Sequence, residues 1–238
     1  MKIQKTMKNI IKFTKSFFLL KPRLISTIFF IPILYCIGWT LSKPLLLLNF
    51  EKENLSLIGT ILTFLFFIFS LPYWFYIKRN ISSTWLILGL TKHKFLKNIV
   101  NFSQGILFAL VLIILILTPL FQNNFISWIG ESSPSILINS IFLGLGVGFA
   151  EELIFRGWLL EELKFEYGTK ISIVLQAIVF SFVHNLSNEI FWNIIGLRLG
   201  LILLGIFLSL VRIRNQGSLW NCIGIHGGLV GIWFFINN

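Results

Sequence analysis

The stretch from Gly148 to Trp158, GFAEELIFRGW, places two adjacent carboxylates and a guanidinium inside a long apolar segment. The charged residues are Glu151, Glu152 and Arg156, and apolar residues continue on both sides of them. Charged side chains at membrane depth are costly, so they face the interior of a helix bundle and are functional candidates by default. The stretch therefore predicts a polar site inside an otherwise apolar fold.

The composition of the chain identifies its class. Of the 238 residues, 56% are hydrophobic and only 12% are charged, with a mean hydropathy of +0.86. Soluble domains contain about 25% charged residues, so an aqueous fold is excluded. We predict an all-α, polytopic membrane helix bundle that forms one integral-membrane domain over residues 1–238. The net charge is +11, but the basic residues lie between the apolar segments. We therefore attribute the charge to loops of a membrane protein and expect no nucleic-acid partner.

Seven segments are apolar enough to span a bilayer, which takes about 20 residues. They are residues 24–41, 55–77, 99–121, 136–163, 169–190, 191–212 and 216–236. The run STWLILGL, residues 83–90, is expected to be interfacial or re-entrant, which makes an eighth segment an alternative. Cys36 and Cys222 fall within apolar spans, so no structural disulfide is expected.

Basic residues are distributed unevenly among the segments that join these spans. With a cytoplasmic N-terminus, 17 of the 20 Lys and Arg lie in or near cytoplasmic segments, and only Lys43 and Lys52 lie in external loops. Cytoplasmic loops of membrane proteins carry this excess of basic residues. The pattern therefore predicts a cytoplasmic N-terminus.

Polar residues of three predicted helices reach a similar depth. Counted from the cytoplasmic ends at 1.5 Å per residue, Glu151 lies about 18 Å deep, His184 about 21 Å and His226 about 14 Å. An apolar core is about 30 Å thick, so all three lie near its middle. This agreement predicts one buried site that opens toward the cytoplasm.

The spacing of the charges suggests different tasks for the two glutamates. Glu152 and Arg156 are four residues apart and can pair on one helix face, while Glu151 points about 100° away. We expect Arg156 to anchor Glu152 and Glu151 to face a cavity. The alternative is a purely structural ion pair. Elsewhere, Arg198 is expected to snorkel or to pair with Glu189.

The absence of other catalytic patterns narrows the chemistry. The chain contains no GxSG serine motif, no HExxH zinc helix and no Asp. What remains is a carboxylate with two imidazoles. Such a carboxylate can act as a general base on water, and an imidazole can orient that water or donate to an oxyanion. Alternatively, Glu151, His184 and His226 form a His₂Glu zinc set. The residues leave both mechanisms open.

Three motifs resemble those of the CPBP family, the CAAX proteases and bacteriocin-processing enzymes also called the Abi family. EELIFR at residues 151–156 resembles the EExxxR motif, and FSFVH at residues 180–184 resembles FxxxH. GSLWNCIGIHGG at residues 217–228 is similar to the third motif. The resemblance covers residues 136–236, which it identifies as CPBP-like catalytic helices.

The resemblance implies an intramembrane endopeptidase that cleaves a membrane protein or peptide within the lipid bilayer. It implies that Glu151 activates water with His184, that His226 contributes to the oxyanion site, and that Glu152 and Arg156 support them. No cofactor is expected, with zinc as the alternative. Val230 stands where the third motif often has Asn or Asp. A non-catalytic scaffold or bacteriocin-immunity protein of the same fold, or a transporter, are the alternative functions.

Overall fold

The computed structural model describes residues 12–19, 24–48, 50–92, 94–127, 133–184 and 191–237. These residues contain no β-strand and include seven long α-helices, which confirms the predicted all-α class. The helices are α1 (Leu24–Ser42), α2 (Lys52–Arg79), α3 (Phe95–Gln122), α4 (Pro134–Glu152), α5 (Leu160–Val183), α6 (Phe191–Arg214) and α7 (Trp220–Asn237). A 3₁₀-helix covers Lys43–Leu48, and STWLILGL contains only a one-turn helix, Thr84–Ile87.

The chain divides into two compact units, Met1–Thr84 and Trp85–Asn238. In the first unit α1 packs against α2 through an aromatic core in which Phe30, Phe67 and Trp74 are buried. The rings of Phe30 and Trp74 lie 4.3 Å apart, and Lys78 lies over the ring of Trp74. The prediction that residues 1–238 form one domain stays a prediction.

In the second unit α7 packs against both α3 and α4, and α5 packs against α6. Glycines allow the close approach of α4 to α7. A methyl group on Gly148 would lie 2.6 Å from the Cα of Gly227, and one on Gly144 would lie 2.5 Å from the Gly227 carbonyl oxygen. Any larger residue at these positions would separate the helices and the polar side chains they carry.

The helical stretch that begins at Pro134 runs through α4 and a π-helical segment (Leu153–Leu159) into α5, where non-helical backbone at Gly168 separates two helices. Ser133 caps its start by accepting a hydrogen bond from the amide of Ile136. Gly168 (φ 72°, ψ 172°) lies directly before the predicted start of the fifth span, so the structure has a kink between the predicted fourth and fifth spans. The predicted fifth span also ends earlier than expected, because α5 stops at Val183, and the NLSNEI turn (185–190) lies outside the described residues.

The described residues contain five stretches with the length and apolar composition of a membrane span. They are Leu24–Leu47, Asn54–Arg79, Phe95–Gln122, Pro134–Val183 and Trp192–Arg214. The fourth stretch has 50 residues and contains the predicted fourth span and most of the fifth, while α7 is not among the five. These helices support an integral membrane protein. The count of seven spans and the orientation stay predictions.

The orientation is tested with topology reporters. A reporter fused after Lys97 is expected to be cytoplasmic and one fused after Gly130 external, because α3 is predicted to cross the membrane between them and basic residues favour the cytoplasmic side. Accessibility of each reporter to a membrane-impermeant reagent measures this. The predicted topology is wrong if both reporters give the same side.

Candidate active site

Three elements of the second unit bring the predicted site residues together. Glu151 and Glu152 end α4, and Arg156 lies in the π-helical segment that follows. His226 lies near the middle of α7. His184 follows the last residue of α5, in extended backbone (φ −75°, ψ 126°) rather than inside a helix as the sequence predicts. All five residues nevertheless meet in one cluster.

Glu152 is the anchored acid of the cluster. Its side chain is completely buried, and its Oε1 lies 2.7 Å from Nη1 of Arg156, which is equally buried. The same Oε1 lies 2.8 Å from Nδ1 of His226. A buried carboxylate needs such partners, because an isolated charge in an apolar interior is very unfavourable. The predicted Glu152–Arg156 pair is confirmed, and His226 is a second partner that the sequence did not predict.

Glu151 is the more accessible acid. Its side chain is 28% exposed, and its Oε2 lies 3.5 Å from Nε2 of His184, which is also 28% exposed. The distance from the same oxygen to Nε2 of His226 is 3.8 Å. Two imidazoles therefore face one carboxylate oxygen at distances slightly longer than a direct hydrogen bond.

The hydrogen bonds of the two histidines determine where their protons lie. Nδ1 of His184 is 2.7 Å from the carbonyl oxygen of Phe180. A carbonyl oxygen can only accept, so Nδ1 of His184 carries a proton and donates. Nδ1 of His226 likewise donates to the carboxylate of Glu152. In the neutral form of each ring, Nε2 is therefore an unprotonated acceptor directed toward Glu151.

Phe180 is a component of the site that the sequence indicated only as the first residue of FSFVH. Its ring centroid lies 4.7 Å from that of His184 and 5.7 Å from that of His226. The guanidinium of Arg156 lies over the same ring at 4.1 Å, a favourable cation–π geometry. Phe180 therefore fixes the position of both imidazoles and of the arginine.

The π-helical segment is a second feature that the sequence did not predict. The amide of Leu160 donates to the carbonyl of Phe155, five residues earlier, as a π-helix requires. Such π-turns are rare, occur mostly as single turns inside α-helices and are frequent at functional sites. Here the π-helical segment, called the π-turn below, begins directly after Glu152 and contains Arg156. Its backbone therefore positions Arg156 relative to the two glutamates.

Other sequence expectations have different outcomes. Val230 lies on α7 and is partly buried, and its side chain has no amide group that could donate a hydrogen bond. Arg198 donates to the backbone carbonyl of Ser181 and lies over the ring of Phe182, whereas its predicted partner Glu189 is outside the described residues. Cys36 is an exposed free thiol and Cys222 a buried one.

The zinc alternative requires three or more ligands in a suitable arrangement. Among the residues that the structure describes, no group of three or more His, Cys, Asp or Glu side chains has such an arrangement. The hydrogen bond from Nδ1 of His226 to Glu152 leaves Nε2 of His226 available and is compatible with either mechanism. A metal-free site stays a prediction.

Elemental analysis tests the metal prediction. We expect purified protein to contain no stoichiometric transition metal and to keep its activity after incubation with a chelator, because the proposed base is a carboxylate and needs no metal-bound water. Stoichiometric zinc that is lost together with activity on chelation would contradict the prediction. A zinc-dependent peptidase treated in parallel controls for the effectiveness of the chelator.

Comparison with known proteins agrees with the motifs. Residues 133–232, which contain the whole cluster, match a family model described as type II CAAX prenyl endopeptidase Rce1-like. Residues 4–83 match a different model, described as a domain of unknown function (DUF8676). No curated protein and no solved structure matches the chain. Residues 133–232 are therefore similar to the Rce1-like type II CAAX prenyl endopeptidases, which agrees with the resemblance that the three motifs predict.

Proposed function

We propose that the protein is an intramembrane endopeptidase that hydrolyses a peptide bond of a membrane-associated protein or peptide with a water molecule activated by Glu151. The proposal rests on the different environments of two adjacent carboxylates. Glu152 is buried and bound by Arg156 and His226, whereas Glu151 is partly exposed and faces the Nε2 atoms of two histidines. This is the division expected between an anchoring acid and a working base.

The position of the attacking water follows from the acceptors around Glu151. Its Oε2 and the neutral Nε2 of His184 are 3.5 Å apart and both accept, so they do not bond directly. One water can donate a hydrogen to each of them. In the proposed reaction Glu151 removes a proton from this water, and the hydroxide attacks the carbonyl carbon of the scissile bond. Glu151 then returns the proton to the departing amine.

His226 is proposed to stabilise the oxyanion that forms during the attack. Its Nδ1–H is bound to Glu152, so Nε2 can donate to the oxyanion only when the ring carries both protons. Glu152 thus holds His226 in one orientation, as the buried aspartate of a serine-protease triad holds its histidine.

The apolar surroundings favour a membrane-bound substrate. Glu151, Glu152 and Arg156 lie in a stretch of membrane-spanning length, and residues 133–232 match a CAAX prenyl endopeptidase family model. A membrane-bound peptide can reach such a site from the lipid without first crossing from water. We therefore propose a substrate that is itself membrane-bound.

A substrate trap tests the proposed function. The Glu151→Gln form keeps the shape of the site but lacks the base, so it is expected to retain an uncleaved partner that copurifies from membranes. Wild-type protein added to that partner in detergent or vesicles should cleave it. A native phenotype that survives Glu151→Gln would favour a non-catalytic scaffold or immunity protein. Solute flux in liposomes would favour a transporter.

A further inference from the structure

Arg212 lies near the end of α6, where the sequence suggests an ordinary cytoplasmic basic residue. The structure instead buries it almost completely, with 1% of its surface exposed. Its neighbour Arg214, in the same helical turn, is exposed. A buried guanidinium must be matched by acceptors, so its partners indicate what it does.

The guanidinium of Arg212 connects four separate segments of the second unit. Its Nη1 donates to the backbone carbonyl of Arg156 and lies 3.1 Å from the carboxylate of Glu161. Its Nη2 donates to the carbonyl of Ile87 at 2.8 Å, and its Nε donates to the carbonyl of Gly217 at 3.2 Å. The segments joined are the π-turn, the start of α5, the one-turn helix and the turn before α7.

The contact with Arg156 completes the hydrogen bonding of the π-turn. Leu160 donates to the carbonyl of Phe155, five residues back, and the chain then returns to α-helical pairing. Where hydrogen bonds to the carbonyl five residues back give way to hydrogen bonds to the carbonyl four residues back, one carbonyl is left without a backbone N–H donor from the helix. The next carbonyl in the chain, that of Arg156, receives its hydrogen bond from Arg212. A π-turn next to Glu152 is therefore held by a side chain from another helix.

The contact with Gly217 fixes the other half of the site. Gly217 has a φ of 89°, a conformation that favours glycine, and its amide donates to the carbonyl of Arg212 at 2.8 Å. Two residues later, the amide of Leu219 donates to the carbonyl of Gly89. This turn leads directly into α7, which carries His226. Arg212 therefore contacts both the segment that follows Glu152 and the segment that precedes His226.

We propose that Arg212 is a positioning residue that fixes the π-turn relative to α7, so that Nδ1 of His226 meets the carboxylate of Glu152. The expected effect of Arg212 on catalysis rests on the proposed function, whereas its effect on the position of His226 relative to Glu152 does not. Lysine cannot replace it, because an ammonium lacks the planar fork of donors that reaches several acceptors in fixed directions. The ion pair with Glu161 alone would survive such a replacement.

The three histidines of the chain make the test direct. In NMR spectra of protein labelled with ¹⁵N-histidine, the imidazole signals of His226 are the ones that disappear in His226→Gln. An Nδ1–H that is hydrogen-bonded to a carboxylate gives these signals characteristic chemical shifts. Arg212→Lys is expected to lose this signature, while the matched control Arg214→Lys keeps it. Once a cleavable substrate is known, Arg212→Lys should lower kcat about 10–100-fold with KM unchanged, as misplacement of a catalytic group does.

An unchanged His226 spectrum in Arg212→Lys would overturn the proposal. Glu161→Gln provides a second test that does not depend on how well Arg212→Lys accumulates. It removes the ion pair but leaves the bonds from Arg212 to Arg156 and Gly217, so the His226 signature should persist. Its loss in Glu161→Gln would show that the ion pair, and not the carbonyl contacts, positions the site. The spectra require no substrate, so they stand whether or not proteolysis is found.

Discussion

Replacement of Glu151 by glutamine is expected to reduce cleavage at least about 100-fold, because general-base catalysis contributes about 10²–10⁴-fold. The amide has nearly the shape of the carboxylate but cannot accept a proton from water. Glu151 is partly exposed and is not in the Glu152–Arg156 ion pair, so the folded state should lose little stability. Initial cleavage rates and melting temperatures in detergent, measured on the same preparations, separate the two effects.

Glu166→Gln is the matched control for this prediction. Glu166 is an exposed acid on α5, outside the polar cluster, and its loss should leave both cleavage and melting temperature unchanged. A Glu151→Gln protein that cleaves at the wild-type rate would remove Glu151 from the role of base. An equal loss of activity in Glu166→Gln would point to a general effect of surface charge.

Replacement of Arg156 by alanine is expected to destabilise the protein by about 3–5 kcal/mol, the cost of removing one partner of a buried ion pair. Glu152 is completely buried and would keep only His226 as a charged or polar partner among the described residues. The variant should show reduced abundance in membranes and a lower melting temperature in detergent. This loss of stability is larger than that expected for Glu151→Gln.

A double variant shows whether the unpaired carboxylate causes the instability. Adding Glu152→Gln to Arg156→Ala removes the buried charge, so part of the lost stability should return. Arg214→Ala, at an exposed arginine, is the control and should have a normal melting temperature. If Arg156→Ala were as stable as the wild-type protein, the assigned roles of Glu152 and Arg156 would be wrong.

The class of the fold and the membership of the site were predictable from the sequence. Apolar segments of spanning length have few alternatives to helices in a bilayer, because every backbone polar group must be satisfied internally. Polar residues in such segments avoid lipid and face one another. The similar depths estimated for Glu151, His184 and His226 therefore predicted that they meet, although they could not provide distances or protonation.

The backbone features of the site were not predictable in the same way. Side-chain periodicity does not distinguish a π-turn from an α-helix over one turn, so the segment after Glu152 looked like ordinary helix. The burial of Arg212 depends on carbonyls of Arg156, Ile87 and Gly217, which come from distant parts of the chain. Charge statistics placed this arginine at the membrane surface and did not indicate its partners. The extended conformation of His184 was likewise not predicted, because the predicted fifth span continues past it in the sequence.

In the proposed mechanism, Glu151 activates water to hydrolyse a peptide bond. The most direct measurement is mass spectrometry of the partner captured by Glu151→Gln, after incubation with purified wild-type protein in lipid vesicles containing H₂¹⁸O. We predict two products from one internal cleavage, with a single ¹⁸O in the new C-terminal carboxylate, and no products with Glu151→Gln protein. An intact partner after incubation with wild-type protein, or the same labelled products with Glu151→Gln, would contradict the account.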